Sequence, residues 1–261
     1  MKAPAPGVAL SACKVCGADA PRFGVADFNK HCSENRTGRL PKSGVPVHYY
    51  RCGACSFIFT DAFDEWSADD FAAWIYNADY IKVDPDYAES RPRANADTII
   101  KRFGAHRDRL SCLDYGGGGG LLAERLRQAD FRRAETYDLH NPVFSRRPEG
   151  RFDLLTCFEV FEHENDPHRL LSSLDELIGD DGVIYFSTLL QPEEIERIGL
   201  SWWYIGPRNG HVSIYSRSAL NLLLLQYDLD WGSINQAFHL AWRGAPAFAA
   251  GLIEQVKRNV A

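Results

Sequence analysis

The stretch Leu110-Ser-Cys-Leu-Asp114-Tyr-Gly116-Gly-Gly118-Gly-Gly120-Leu-Leu122 decides how the chain is read. A short apolar run ends on an acid, five glycines follow, and Leu121, Leu122, Leu126 and Ala129 then recur on one helical face. Glycines at a strand-to-helix junction supply positive φ and remove the side chains that would keep a ligand off the backbone. This junction is therefore a binding turn. Outward from it, strands are expected at 135–138, 152–158 and 183–187. A helix lies between the last two, opened by Asp166 as cap and Pro167 at its first position. Alternation of this kind predicts an α/β fold: a Rossmann-like, mostly parallel sheet with helices on both faces. A strand over 212–215, a helix over 218–226, hairpin strands within 229–242 and a last helix from about Ala247 are expected to complete it.

Three ligand classes use glycine turns of this sort: dinucleotides, phosphates and S-adenosylmethionine. A phosphate loop needs Lys and Ser or Thr after its last glycine, and here Gly120 is followed by Leu121 and Leu122. The dinucleotide fingerprint fails from Gly116 or Gly117 and survives only as a variant running from Gly118 to Ala123. The spacing Asp-x-Gly-x-Gly-x-Gly, filled by Asp114, Gly116, Gly118 and Gly120, resembles the first motif of the class I S-adenosylmethionine-dependent methyltransferases. The resemblance spans roughly Ile99 to Phe186 and implies that the loop passes the amino acid part of the cofactor. Asp138, followed by Leu139, stands where the family's ribose-binding acid ends the second strand, and a carboxylate suits two hydroxyl donors. Phe152-Asp-Leu-Leu-Thr-Cys-Phe-Glu-Val-Phe-Glu162-His163 resembles the family's fourth-strand motif, which implies backbone around Cys157 and Phe158 lining the cofactor. Asp181-Gly-Val-Ile-Tyr-Phe186 resembles the fifth strand. Only fourteen residues separate Asp138 from Asp153, whereas a full β-α-β unit needs about 30. The third strand is expected to be shortened or lost, leaving Asn141 to Phe144 as candidates for covering the adenine.

Two Cys-x-x-Cys pairs, Cys13/Cys16 and Cys52/Cys55, precede this core. Four thiolates on two knuckles match the closed tetrahedral preference of zinc, which leaves no coordination position for water, so the expected metal is structural. Paired cysteine knuckles ahead of a methyltransferase core are similar to those of the sugar C-methyltransferases. That likeness favours a small-molecule acceptor, although this chain ends soon after its core. Cys32 is expected in a loop, and Cys112 and Cys157 in the core. The expected division is a tail and zinc-ribbon-like module over residues 1–60, a helical connector or cap over 61–108, and the Rossmann-like domain over 109–261. The first ten residues, with Pro4, Pro6 and Gly7, are expected to form an unanchored tail.

Methyl transfer from a sulfonium is an in-line displacement, so positioning and exclusion of water matter most, and a base is needed only where the acceptor must lose a proton. His163, just past the fourth strand beside Glu162, is the leading candidate base, and His211 the second. Glu162 with His163 makes a thin case for a divalent ion. Trp202-Trp203-Tyr204 offers an apolar lid or stacking wall for the acceptor, weighed against ordinary loop packing. Tyr76, Tyr80 and Arg93 are candidates to close over the cofactor, Arg93 by a forked contact to its carboxylate, weighed against the simpler reading of helix surface and core.

Among the 261 residues, 45% are hydrophobic and 25% charged, which supports a real core and excludes wholesale disorder. The net charge of −6 counts against a nucleic-acid partner. An RNA methyltransferase gripping its substrate through the zinc module, or a cofactor-retaining binding protein without activity, are the alternatives. No apolar run approaches the roughly 20 residues of a membrane span. The N-terminus has no signal-like apolar segment, so a cytoplasmic location is expected. Nothing in the sequence specifies an oligomeric state.

Overall fold

The structure is a computed structural model that describes residues 9–259. Its strands, in chain order, are β1 (Leu10–Ala12), β2 (Asp19–Asp27), β3 (Pro46–Arg51), β4 (Ile58–Phe59), β5 (Ser111–Tyr115), β6 (Arg133–Tyr137), β7 (Phe152–Cys157), β8 (Ile178–Ser187), β9 (Ser213–Ile214), β10 (Asp230–Ser233) and β11 (Phe238–Trp242). The α-helices are α1 (Glu34–Thr37), α2 (Ala68–Trp74), α3 (Tyr80–Val83), α4 (Ser90–Phe103), α5 (Leu121–Gln128), α6 (Pro167–Leu177), α7 (Ile195–Ile198), α8 (Arg217–Leu225) and α9 (Ala250–Arg258). No helix among the described residues is long and apolar enough to cross a membrane.

The chain forms two compact units, and neither is one continuous segment. One gathers the chain up to Pro85 with Glu162–Arg169 and Leu189–Leu223. The other takes Asp86–Phe161, Leu170–Thr188 and the chain from Leu224 onward. The division expected from the sequence, at 60/61 and 108/109, cuts elsewhere. Residues 1–8 of the expected tail lie outside the described residues, and Leu10 to Ala12, rather than trailing free, pair antiparallel with β2.

In the first unit the sheet order is β1-β2-β3-β4-β9. The expected strand near 212–215 belongs here, since Ile58 pairs with Ile214 and Phe59 with Ser213. The physical reason is a shared core: Val47, Tyr49, Ile58, Phe63 and Ile75 are fully buried together with Ile214. The connector's aromatics pack into this same core rather than onto the parallel sheet. Phe63 and Trp66 meet edge to face at 4.6 Å, and Trp66 and Phe71 at 5.4 Å, contacts worth about 0.5–1.5 kcal/mol each beyond area burial. Tyr80, weighed between covering a cofactor and ordinary packing, is buried in this core with its hydroxyl donating to the Asn209 carbonyl at 3.4 Å.

In the second unit the six-stranded order is β10-β11-β8-β7-β5-β6. The four strands β6, β5, β7 and β8 are parallel, and β11 and β10 add antiparallel pairs at one side. This is the expected α/β, mostly parallel sheet. No strand lies between β6 and β7, so the third strand is lost and β6 forms an edge. Arg133 on that edge pairs with Glu135 at 2.5 Å and stacks over the Phe152 ring at 4.2 Å, a charged edge that discourages further pairing. The strand expected at 183–187 starts earlier, at Ile178, because Phe152 pairs with Ile178 before a register shift. Ile99, Phe103, Leu122, Leu126, Ile253 and Val256 from α4, α5 and α9 are buried in one core with the sheet. Cys112 and Cys157 are core residues, as expected.

Candidate functional site

The turn after β5 is built on Asp114. Its carboxyl accepts the Thr156 hydroxyl at 2.8 Å, is 5% exposed, and is pushed up to about 7 by burial. A Cβ on Gly117 would lie 2.3 Å from Asp114 Oδ2, and one on Gly116, where φ is +71°, would lie 2.4 Å from Val160 Cγ2. Those two glycines let the turn seat itself on the strand. Gly118 and Gly119 differ, because a Cβ on either meets no heavy atom within 4 Å. The space beside their backbone is open. Gly120, at φ +78°, precedes α5, and a Cβ there would reach 2.8 Å from Phe144 Cζ and 3.3 Å from Thr136 Oγ1.

Asp138 follows β6 and faces this turn. Its Oδ2 accepts the Gly118 amide at 2.8 Å, while Oδ1 accepts the amides of His140 at 2.8 Å and Asn141 at 3.1 Å. Asn141 Nδ2 donates to the Gly118 carbonyl at 2.8 Å, and the Asp138 amide donates to the Phe144 carbonyl at 3.0 Å. The short segment that replaces the third strand thus folds against the glycine turn and is fixed by it. S-adenosylmethionine suits these groups on two counts. Bare backbone at 118–119 admits a ligand, and Asp138 Oδ2 with one amide retains a second acceptor direction for a ribose hydroxyl. Thr136 Oγ1, buried beside the turn, has no hydrogen-bond partner among the described residues, so it can serve a ligand as well. Leu139 is 61% exposed, whereas the Cys157 and Phe158 side chains face the core. Arg93 is an exposed member of α4 paired with Glu89 at 3.5 Å.

In the first unit Cys13, Cys16, Cys52 and Cys55 place their sulfurs within 4.8 Å of one another. The Cys13–Cys55, Cys16–Cys52 and Cys16–Cys55 separations are 3.6, 3.5 and 3.6 Å. A tetrahedron with zinc–sulfur bonds of about 2.3 Å has edges of about 3.8 Å. The donor set fits. Both knuckles are shaped by amides directed at sulfur: Val15 to Cys13 at 3.4 Å, and Ala54 and Cys55 to Cys52 at 3.3 and 3.4 Å. Gly17 at φ +73° and Ser56 at φ +62° turn the chain out of each knuckle. Hydrogen bonding from Cys55 holds Cys13 low, at about 5, and the Cys55 thiol is correspondingly driven up. Cys32 is not part of this group. Its amide donates to Asn209 Oδ1 at 2.7 Å, and its sulfur lies 3.5 Å from His211 Nδ1.

His163 and His211 come together in this unit, with ring centroids 4.8 Å apart and planes at 84°. Glu162, fully buried, joins them. Tyr204 links two of the three. Its hydroxyl donates to Glu162 Oε1 at 2.7 Å, and its carbonyl lies 2.7 Å from His211 Nδ1. A carbonyl only accepts, so that ring nitrogen carries the proton. Tyr76 Oη lies 3.2 Å from His163 Nδ1. Gly210, at φ +84°, brings the segment close, since a Cβ there would be 3.3 Å from His163 Nδ1. Lys30 Nζ donates to the carbonyls of Trp202, at 3.0 Å, and Ile205, which secures the aromatic segment. Of the three aromatics, Tyr204 is buried, Trp202 packs on it at 5.3 Å, and Trp203 is half exposed.

Sequence reasoning missed Gly117, Thr136 and Thr156 as supports of the turn, and it took Tyr204 only as part of an aromatic run. Alternation along β6 and β7 could have put both threonines beside Asp114, but nothing local paired Tyr204 with Glu162.

A family model described as "Methyltransferase domain" matches residues 87–232, more than half of the chain, and the protein belongs to that family. Among curated relatives, the ubiquinone biosynthesis O-methyltransferase of Aromatoleum aromaticum is 28% identical over 100 residues, covering 30% of this chain and 43% of its own. That of Coxiella burnetii is 29% identical over 99 residues, with 30% and 42% covered. The chain spans less than half the length of these relatives. Among solved structures, a Burkholderia thailandensis 1,6-didemethyltoxoflavin-N1-methyltransferase with S-adenosylhomocysteine has TM-score 0.47 at 15% identity, over 78% of this chain and 96% of its own. A Synechocystis magnesium protoporphyrin IX methyltransferase with S-adenosylhomocysteine has TM-score 0.41 at 15% identity, over 64% and 89%.

Proposed function

We propose that this protein transfers a methyl group from S-adenosylmethionine to a small-molecule acceptor. The observation that carries the reading is the turn at Gly116 to Gly120, whose open backbone at 118–119 stands beside the carboxylate of Asp138. S-adenosylmethionine, when bound, supplies an electrophilic methyl on a sulfonium. Asp114 and Thr156 hold the turn from below, while Asp138 Oδ2 offers its remaining acceptor direction to a ribose hydroxyl and Asn141 fixes the turn's outer carbonyl. The segment around Phe144 is assigned to the adenine, and Leu139 to its margin. His163 and His211 remain the candidate groups for meeting the acceptor. The curated relatives are named as O-methyltransferases of ubiquinone biosynthesis, which supports a small-molecule acceptor. The acidic charge of −6 supports it too.

We also infer that the four cysteines hold a structural zinc that ties Cys13/Cys16 to Cys52/Cys55 and so closes the β2–β3 layer. Elemental analysis after dialysis should find at least one zinc per chain, and much less would remove this inference. The activity is tested with isotopically labelled methyl donor and pooled metabolites. Label should appear in a small molecule. Label only in RNA, or none with any pool, would defeat the reading.

A further inference from the structure

We propose that Glu162, His163 and His211 form a second metal site, one for a divalent transition ion held by two imidazoles and one carboxylate with open positions remaining. The three residues arrive from two chain segments, yet each offers a donor atom within 4.8 Å of the others. Glu162 is fully buried and His211 is 5% exposed, while His163 is half-buried and leaves the cluster approachable. This donor set differs in kind from the four thiolates. Imidazole and carboxylate suit zinc, iron(II), cobalt(II) or manganese(II), and a set of three leaves coordination positions for water or another oxygen donor.

The supporting contacts are those a metal centre requires. Ligating histidines are oriented by a hydrogen bond at their other nitrogen, and ligating carboxylates are themselves hydrogen-bonded. His211 donates Nδ1–H to the Tyr204 carbonyl at 2.7 Å, which makes Nε2 the nitrogen with a lone pair for an ion. Tyr76 Oη holds His163 Nδ1 at 3.2 Å, which does the same for the second ring. The Tyr204 hydroxyl, itself accepting the Leu189 amide at 3.1 Å, donates to Glu162 Oε1 at 2.7 Å. One tyrosine therefore orients both a carboxylate and an imidazole. The backbone fixes the remainder. The Val212 amide donates to the Glu162 carbonyl at 2.8 Å, and Tyr49 donates to the His211 carbonyl at 2.7 Å.

The proposal rests on the methyl-transfer reading in one respect only, the oxygen donor the open positions would take: an acceptor hydroxyl, which ionises nearer neutrality on a metal and releases its proton to solvent. Binding of the ion itself is independent of that reading.

The test is cobalt(II) titration of the full-length chain carrying one equivalent of zinc, followed by visible absorption and calorimetry. One equivalent should bind with ligand-field bands that lack sulfur-to-metal charge transfer. Glu162→Gln and His163→Ala should each weaken that binding more than tenfold, and Tyr204→Phe by about 10- to 100-fold through loss of its hydrogen bond. Circular dichroism of each variant establishes that it is folded. No uptake by the wild type, uptake carrying sulfur charge transfer alone, or uptake unchanged in folded Glu162→Gln and His163→Ala would overturn the proposal. Titration with S-adenosylhomocysteine, run in parallel, reports separately on the methyl-transfer reading.

Discussion

Replacing glycines 116, 118 and 119 one at a time by alanine separates folding from binding at the turn. At Gly119 the backbone has an ordinary φ and a Cβ meets nothing within 4 Å, so Gly119→Ala should leave stability unchanged or raise it by about 0.4–1 kcal/mol. At Gly118 there is also open space, but φ is +54°, so Gly118→Ala carries a left-handed cost of about 1–2 kcal/mol. At Gly116 the same backbone cost, at φ +71°, adds to a Cβ placed 2.4 Å from Val160 Cγ2. Overpacking of that kind costs about 1–3 kcal/mol more. Thermal melts should therefore rank Gly119→Ala above Gly118→Ala above Gly116→Ala, with Gly118→Ala lowering Tm by roughly 2–8 °C. Calorimetric titration with S-adenosylhomocysteine gives the second coordinate. Gly118→Ala, though folded, should lose at least about tenfold in affinity, or 1.4 kcal/mol, because its methyl enters the open space. Wild-type affinity in Gly118→Ala, or a Gly119→Ala protein as unstable as Gly116→Ala, would refute the reasoning.

Other consequences follow from the same contacts. Asp114, pushed up to about 7, keeps a proton in the folded chain that the unfolded chain sheds near pH 4. Stability should fall as pH rises from about 4 to about 7, and Asp114→Asn should flatten that decline in denaturant melts taken across the range. Stripping the chain with a strong zinc chelator should lower the melting temperature of the first unit and release metal to a colorimetric indicator, with Cys52→Ser behaving like the stripped protein. Tyr204→Phe leaves the Glu162 carboxylate and the Leu189 amide without its hydroxyl and should cost about 1–3 kcal/mol by chemical denaturation.

What was legible in the sequence is what local stereochemistry dictates. The strand, acid and glycines from Leu110 to Gly120 can make only a tight strand-to-helix turn, and the cysteine spacings announce their own cluster. Counting residues between Asp138 and Asp153 was enough to foresee the missing strand. The two-unit division was not legible, because its decisive contacts join distant segments of short strand. Ile58 pairs with Ile214, and a two-residue strand carries almost no periodicity. Tyr80 could be read as packing or as a cofactor cover, and local sequence could not decide because the core that claims it is assembled from residues as far apart as Val47 and Ile205. Glu162 and His163 were visible as neighbours. That His211 and Tyr204 join them depends on a turn at Gly210 whose glycine gave no hint of its partner.

The central claim is that the open backbone at 118–119 and the carboxylate of Asp138 hold a sulfonium nucleoside. A crystal structure of the chain grown with S-adenosylhomocysteine addresses it directly. The account predicts electron density for the amino acid part along Gly118 and Gly119, with a ribose hydroxyl on Asp138 Oδ2. Density elsewhere, or a turn closed by side chains with the ligand excluded, would contradict it.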